Sequence, residues 1–307
     1  MRMKKKLIIN DVNELEKEFY SNYHLYYWLS KIHLLKNCHD KYENVKSAIK
    51  SDLTNISDDD YKRVLRTEMH FLYFQMVETL FEFIFTYETN GDKQIWINLI
   101  NSDFKKNYKK IEDLNEYSDL FQGKSDIRDS GNITQIPLLR WIFYLNLNLN
   151  LSNSEWEENL ANIKELLLIF ASDFSDRNEY NAYKHALRFY NSSFRSYIGL
   201  KGSNEMQVMC DSNDSISYLE KKRSNELSTK ELVVDRVYIT TKPFNFNIDY
   251  NKCRIIFNMI NNIIETRRKA FLSDSINVNP KLFIFNNIDI DNDCLPSYSL
   301  TKQSFSI

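Results

Sequence analysis

Apolar residues recur at helical spacing along most of the first 192 residues, and this pattern predicts a series of helices. Between residues 11 and 50 it predicts one or two helices, with Asp11 as a candidate N-cap. The apolar positions of this stretch are Leu15, Phe19, Tyr26, Leu29 and Ile32.

A strong helix start follows at Ser57, because this serine precedes three aspartates at 58–60. A serine hydroxyl accepts hydrogen bonds from free backbone amides, and acidic side chains are stabilised at the positive end of the helix dipole. We expect the helix to continue to about Tyr87 and to end at Asn90 and Gly91, a pair suited to positive φ.

The next stretch predicts shorter helices over residues 93–122, followed by a loop with the sequence KSDIRDSGNITQIP. Residues 138–151 combine the pattern of a buried helix with a tail that alternates like a strand, and we favour a helix.

Two further helices are predicted before residue 192. Ser154 and Glu157 have the spacing of a capping box, which predicts a helix through Phe170. Asp176 is the predicted N-cap of the next helix, which we expect to reach Asn191.

After residue 191 the pattern changes to alternating apolar and β-branched residues between clusters of Gly, Ser and Asn. Such a pattern predicts hairpins of a small antiparallel sheet. Residues 249–272 return to helical spacing, KLFIF at 281–285 could add a last strand, and the polar tail from Asp289 is expected to fray.

These elements predict a mainly α, α+β fold: a helical bundle over residues 1–192, with a β-hairpin module and a packing helix over 193–307 docked on it. The composition agrees, because 5 Gly and 4 Pro in 307 residues favour long helices over a turn-rich sandwich or barrel.

Charge and cysteine content narrow the functional classes. The formal net charge of -2 provides no overall positive field for nucleic acid or membrane, so any nucleic-acid contact must be local. The 4 cysteines show no CxxC spacing, which favours a reducing compartment. The N-terminal apolar run is too short for a signal peptide, and we expect a cytoplasmic protein without a membrane span.

The stretch RNEYNAYKHALRFYN at 177–191 carries the candidate site. On one continuous helix its basic and amide side chains fall on a stripe roughly 100° wide. The stripe contains Arg177, Asn181, Lys184, His185 and Arg188. An ordinary solvated face of an amphipathic helix explains the same pattern.

A second structural explanation involves the apolar helix at 71–87, which contains Glu78 and Glu82. Buried carboxylates need partners, and Lys184 and Arg188 are candidates. A Glu78–Arg188 ion pair would then fix the packing of two helices. We expect His70, on the same apolar helix as Glu78, to be a hydrogen-bonded packing residue rather than a catalyst.

The stripe also has the parts of a ribonuclease that needs neither a metal nor a cofactor. Histidine transfers protons near neutral pH, Arg and Lys stabilise charge on a phosphate, and Asn orients its oxygens. Arg195 and Lys201 would extend the positive track along RNA. Any exposed tyrosine of the stretch, Tyr180, Tyr183 or Tyr190, would offer a stacking surface for bases.

An Arg-Asn pair followed by His on a helix of a helical bundle resembles the HEPN-type bacterial proteins. The resemblance covers only the helical part, and its motif would be Arg177, Asn178 and His185. The interval between Arg177 and His185 is longer than is usual in that family. The resemblance implies a ribonuclease site that is commonly completed across a homodimer, in a bacterial defence or toxin system.

The alternative is a non-catalytic adaptor. In that role the basic stripe binds a partner protein or an RNA backbone, and the hairpins after residue 192 supply a second contact surface. The apolar helix at 71–87 could also form part of an interface with a partner or with a second copy of the chain.

Overall fold

The structure of the protein is a computed structural model. The residues that it describes are 12–49, 57–88, 95–129, 132–145, 147–185, 188–199, 206–223, 234–272, 280–286, 288–290, 294 and 301–305.

Helices dominate the described residues, and the fold is mainly α with two antiparallel sheets, as the sequence predicts. The helices are α1 (Val12–Asn22), α2 (Tyr26–Asp40), α3 (Tyr42–Ile49), α4 (Asp58–Glu88), α5 (Ile95–Ile100), α6 (Phe104–Glu112), α7 (Asp119–Gln122), α8 (Leu138–Tyr144), α9 (Asn153–Ser175), α10 (Asn178–Lys184) and α11 (Phe246–Leu272). The strands are β1 (Lys124–Asp129), β2 (Asn132–Pro137), β3 (Phe189–Gly199), β4 (Met206–Arg223), β5 (Val234–Pro243) and β6 (Thr301–Phe305).

The predicted start of the long helix is confirmed at α4. The backbone N–H of Asp60 donates to the Ser57 hydroxyl over 3.1 Å, so the serine caps the first turn. The helix runs to Glu88, and the predicted stop at Asn90 and Gly91 lies outside the described residues.

The loop predicted at 124–137 is wrong, because β1 and β2 pair there as an antiparallel hairpin. The pairing runs from Lys124 opposite Pro137 to Asp129 opposite Asn132. Two residues, Ser130 and Gly131, separate the strands in sequence, and this interval with a glycine is the usual signal of a hairpin.

The helix predicted over 138–151 is right only in its first half. α8 ends at Tyr144, and the next residue, Leu145, has a φ of 49°, a left-handed conformation that ends an α-helix. Asn150 also has a positive φ, of 55°, so the tail is neither helix nor strand.

The capping box of α9 lies two residues earlier than predicted. The Ser152 N–H donates to Glu155 Oε2 over 2.8 Å, and the Glu155 N–H donates back to Ser152 Oγ over 3.3 Å. Ser152 and Ser154 both precede a glutamate by three residues, so the sequence pattern fits either serine.

The hairpins predicted after residue 191 are confirmed as an antiparallel sheet of order β3-β4-β5-β6. The predicted strand at 281–285 is wrong, since the described residues there form no strand. The last strand is instead β6, in the tail that was expected to fray, where Val237 to Thr241 of β5 provide pairing partners.

Asparagine side chains take the place of strand partners along the segment 281–285. Asn262 accepts from the Phe283 N–H over 2.9 Å and donates to the Phe283 carbonyl over 2.8 Å. Asn159 accepts from the Phe285 N–H over 2.7 Å, and Asn162 donates to the Phe285 carbonyl over 2.7 Å. These backbone groups are therefore satisfied without a sheet.

The chain forms two compact units, each assembled from separate stretches. Unit 1 contains residues 1–29, 76–175 and 254–288, and unit 2 contains 30–75, 176–253 and 289–307. Unit 1 packs the apolar faces of α8, α9 and the C-terminal part of α11, whereas unit 2 packs aromatic residues of the first part of α4 against α10. A division of the chain at residue 192 stays a prediction.

Candidate functional site

The candidate site lies in unit 2, around α10, a helix much shorter than the sequence predicts. Arg177 is its N-cap, so the predicted N-cap Asp176 is wrong by one residue. His185 is its C-cap, so the predicted continuation to Asn191 is also wrong. Phe189 and Tyr190 instead begin β3, opposite Tyr218 and Ser217 of β4. Aromatic residues fit strands well, and the pairing with β4 decides the structure of these positions.

The early end of α10 separates residues that the sequence places on one stripe. Arg177 and His185 flank opposite ends of the helix, about 12 Å apart along its axis at 1.5 Å per residue. Arg177 is also buried, with 6% of its surface exposed. Arg188 lies beyond the helix, so the predicted continuous stripe does not form.

The structure does bring together three basic residues, Lys184, His185 and Arg188, which we call the basic end of α10. All three are exposed. The Arg188 N–H donates to the Ala182 carbonyl over 2.9 Å, which brings the chain back against the last turn of the helix. Asn181, half-buried, lies one turn earlier, and its carbonyl accepts from the His185 N–H over 3.1 Å.

The position of Lys184 in the last turn of α10 has an electrostatic reason. The carbonyl groups at the C-terminal end of a helix carry partial negative charge, which favours a lysine there. Lys184 also lies over the ring of Tyr180, with Nζ 4.5 Å from the ring centroid.

Only one of the three tyrosines predicted as stacking surfaces is freely exposed. Tyr190 has 56% of its surface exposed and follows Arg188 by two residues. Tyr180 and Tyr183 pack with the aromatic residues of α4, where Tyr183 stacks on Phe71 at 4.1 Å and Tyr180 on Phe74 at 5.4 Å. These two rings anchor α10 in the core.

Arg195 and Lys201 are the other two residues of the predicted positive track. The Arg195 side chain and the whole of Lys201 lie outside the described residues. Glu78 belongs to unit 1 and Arg188 to unit 2, so their ion pair stays a prediction. Glu82 finds neutral partners in its own unit, where the Ser102 hydroxyl and, over 2.9 Å, the Asn107 amide donate to its carboxylate.

A buried acid, Glu179, fixes the first turn of α10. Lys242 Nζ lies 2.8 Å from Glu179 Oε2, and His70 Nε2 lies 4.0 Å from Glu179 Oε1. Burial raises the pKa of the Glu179 carboxyl, while Lys242 and His70 favour its charged form. Lys242 also binds the carboxylate of Asp176, over 2.8 Å.

His70 is held on both sides. Its Nδ1 lies 2.9 Å from Asp249 Oδ2, in the first turn of α11, and its ring stacks on Phe244 with centroids 4.8 Å apart. The imidazole is almost fully buried. His70 thus links α4, α10 and α11 within unit 2 and acts as a packing residue.

α4 also anchors the sheet beside α10. Arg66 Nε donates to Asp214 of β4 over 2.6 Å, and the Thr67 hydroxyl donates to Asn191 of β3 over 2.9 Å. The polar residues next to His70 on α4 thus hold β3 and β4, and through them the segment that carries Arg188.

The sequence pattern does not indicate the roles of Glu179, Lys242 and Asp249. Their partners are 63 and 179 residues away along the chain, and no local pattern indicates such pairs.

In the described part of the chain, no group of three His, Cys, Asp or Glu side chains could hold a metal ion. None of the described helices is both long and apolar enough to cross a membrane. Comparisons with protein-family models, curated proteins and solved structures find no match.

Proposed function

We propose that the protein binds single-stranded RNA at the basic end of α10 and cleaves it without a metal ion. One observation carries this proposal: Lys184, His185 and Arg188 are all exposed, and the hydrogen bond from the Arg188 N–H to the Ala182 carbonyl holds Arg188 against the last turn of α10. Lys and Arg bind phosphates, and Tyr190 beside them offers an exposed ring on which a base can stack.

The proposed reaction uses His185 for proton transfer. The imidazole takes the proton of a ribose 2′-hydroxyl and the freed oxygen attacks the adjacent phosphorus. The imidazolium then returns this proton to the 5′ oxygen as the bond between phosphorus and that oxygen breaks. Lys184 and Arg188 stabilise the charge that develops on the phosphate, and Asn181 orients its oxygens. The products are a 2′,3′-cyclic phosphate and a free 5′-hydroxyl.

In this proposal Arg177 does not act on the phosphate held by His185 of the same chain, because the two residues lie at opposite ends of α10. The HEPN-like interpretation therefore requires a second copy of the chain, whose α10 would complete the site, as that family commonly does across a dimer. This dimer remains part of the proposal.

Binding is tested by titrating a labelled single-stranded RNA at about 50 mM salt, a condition that favours phosphate contacts. We expect Arg188→Glu to weaken binding by at least about tenfold, since a charge reversal removes one phosphate contact and adds repulsion. The matched control is Lys269→Glu, which reverses an exposed charge on α11. Equal effects of the two variants would contradict the proposal.

Cleavage is tested in EDTA with wild type, with His185→Ala and with His33→Ala, which removes an exposed histidine of α2. We expect wild type and His33→Ala to cut the RNA, and His185→Ala to lose about a hundredfold or more in rate. RNA left intact by the wild-type protein would overturn the enzymatic part and leave RNA binding.

The second candidate function is a non-catalytic adaptor, and an exposed apolar residue of α2, Leu34, favours it. Leu34 has 63% of its surface exposed, and an exposed leucine can contribute to an interface. We expect an adaptor to leave RNA uncut and to associate through the surface around Leu34 with a second copy of the chain. Sedimentation of wild type and Leu34→Asp would show whether such an association exists and depends on α2.

A further inference from the structure

Unit 1 contains a groove that the proposed RNA site does not use. It has a volume of about 450 Å³ and is lined by the α1–α2 connection and by residues of α2, α4 and α5. We call it the aromatic groove, and its lining residues are Tyr23, His24, Tyr27, Trp28, Glu78, Thr79, Glu82, Phe83 and Leu99.

The walls of the aromatic groove are rings set at steep angles to each other. Tyr27 and Trp28 meet at 77° with centroids 5.1 Å apart, and Tyr23 and Phe83 meet at 77° with centroids 5.6 Å apart. The π system of an aromatic ring attracts a cation through its quadrupole, so four aromatic residues in one lining favour a cationic ligand.

The charged side chains of the lining include Glu78 and Glu82, which are one turn apart on α4, and its described residues include no Lys or Arg. The Ser102 hydroxyl and the Asn107 amide, both neutral, donate to the Glu82 carboxylate. The groove therefore places two carboxylates beside apolar walls.

We propose that the aromatic groove binds a small organic cation with an alkylated ammonium group. The methyl groups of such a cation pack against the rings, and its diffuse charge is favoured by both the π faces and the carboxylates. A metal ion is not favoured here, because no group of three His, Cys, Asp or Glu side chains among the described residues could hold one. An anionic ligand would be repelled by Glu78 and Glu82.

The direct test compares choline with its uncharged isostere 3,3-dimethylbutan-1-ol by calorimetry at pH 8. The two molecules have nearly the same shape, so only the charge differs. We expect choline to bind at least about tenfold more tightly, which corresponds to about 1.4 kcal/mol of cation–π and Coulomb attraction. Equal binding, or no binding of choline at millimolar concentration, would overturn the proposal.

Variants then locate the site. Trp28→Leu and Glu78→Gln should each weaken choline binding by about fivefold or more. Trp28→Phe keeps an aromatic ring and should retain most of the binding. The control is Tyr117→Leu, which removes an exposed ring outside the groove and should leave choline binding unchanged. Thermal unfolding checks that each variant is folded, and Tyr27→Leu replaces Trp28→Leu if that variant does not fold. Binding that is insensitive to both Glu78→Gln and the aromatic variants would overturn the assignment.

This proposal is independent of RNA binding, because the aromatic groove lies in unit 1 and the basic end of α10 in unit 2. A variant of Trp28 should therefore leave RNA binding unchanged.

Discussion

Glu179 shows how single residues in unit 2 depend on distant partners. It is 3% exposed, and a buried carboxylate is tolerated only with charged or hydrogen-bonded neighbours. The charged neighbours of Glu179 are Lys242 of β5 and His70 of α4. Asp249 of α11 in turn contacts the other ring nitrogen of His70, Nδ1. The position of α10 thus depends on side chains from three other elements.

We expect Asp249→Ala to lower the free energy of unfolding by about 1–3 kcal/mol, because it leaves His70 Nδ1 buried without its acceptor. The matched control is Asp59→Ala, which also removes an acid from the first turn of a helix but at an exposed position. Urea unfolding of both variants measures the difference. Equal losses would show that the bond to His70 contributes nothing beyond the helix-dipole effect.

A second residue, Glu16 of unit 1, makes stability depend on pH. Its Oε1 accepts from the Ile95 N–H over 2.5 Å, whereas its Oε2 is buried and has no hydrogen-bond partner among the residues that the structure describes. Burial raises the pKa of this carboxyl to about 7. The folded state therefore binds this proton more tightly than the unfolded state, and the stability from this group falls as pH rises from about 4.5 to about 7.

Glu16→Gln keeps an oxygen for the Ile95 amide but cannot ionise. Between pH 5 and pH 8 we expect the free energy of unfolding to fall less in the variant than in wild type. The melting temperature of the variant minus that of wild type should therefore increase by a few degrees over this interval, at about 2–4 °C per kcal/mol. Thermal unfolding at both pH values measures the change. Parallel pH profiles of the two proteins would contradict the raised pKa.

At the scale of elements, the cap of α9 shows where a sequence pattern is ambiguous. Ser152 with Glu155 and Ser154 with Glu157 match the same capping box, and only the structure distinguishes them. The hydrogen bonds from Ser152 also hold the pKa of the Glu155 carboxyl below its usual value.

We expect Ser152→Ala to destabilise the protein by about 1 kcal/mol, since it removes the acceptor of the Glu155 amide at the N-terminus of α9. Ser154→Ala, inside the first turn, should change stability by much less. Denaturant unfolding of the pair decides between the two serines, and a larger loss from Ser154→Ala would favour the assignment made from sequence.

Other elements show which patterns are sufficient on their own. The helix α4 has a clear start and the sequence predicts it, and the sequence also predicts most of α11. Residues 12–49 form three helices where one or two are predicted, and the candidate N-cap Asp11 lies outside the described residues. The segment 281–285 has the composition of a strand, yet Asn159, Asn162 and Asn262 satisfy its backbone groups instead of another strand. α10 ends at Lys184 because β3 pairs with β4, a contact between residues far apart in sequence. Local patterns therefore fail where distant partners decide.

At the scale of the whole molecule, the mainly α fold with a small antiparallel sheet could be predicted from composition and periodicity. The assembly of each compact unit from several stretches could not, because it depends on which long-range contacts form. The candidate site was predicted in part: the exposed Lys184, His185 and Arg188 occur in the predicted stretch, but Arg177 is buried at the far end of α10.

The most direct test of RNA binding by the basic end of α10 is the salt dependence of the affinity. A plot of log binding constant against log salt concentration should become shallower by about 0.7 in Arg188→Ala, because one phosphate contact on single-stranded RNA is lost. The slope for Lys269→Ala, on α11, should equal that of wild type. Equal slopes for wild type and Arg188→Ala would contradict the account.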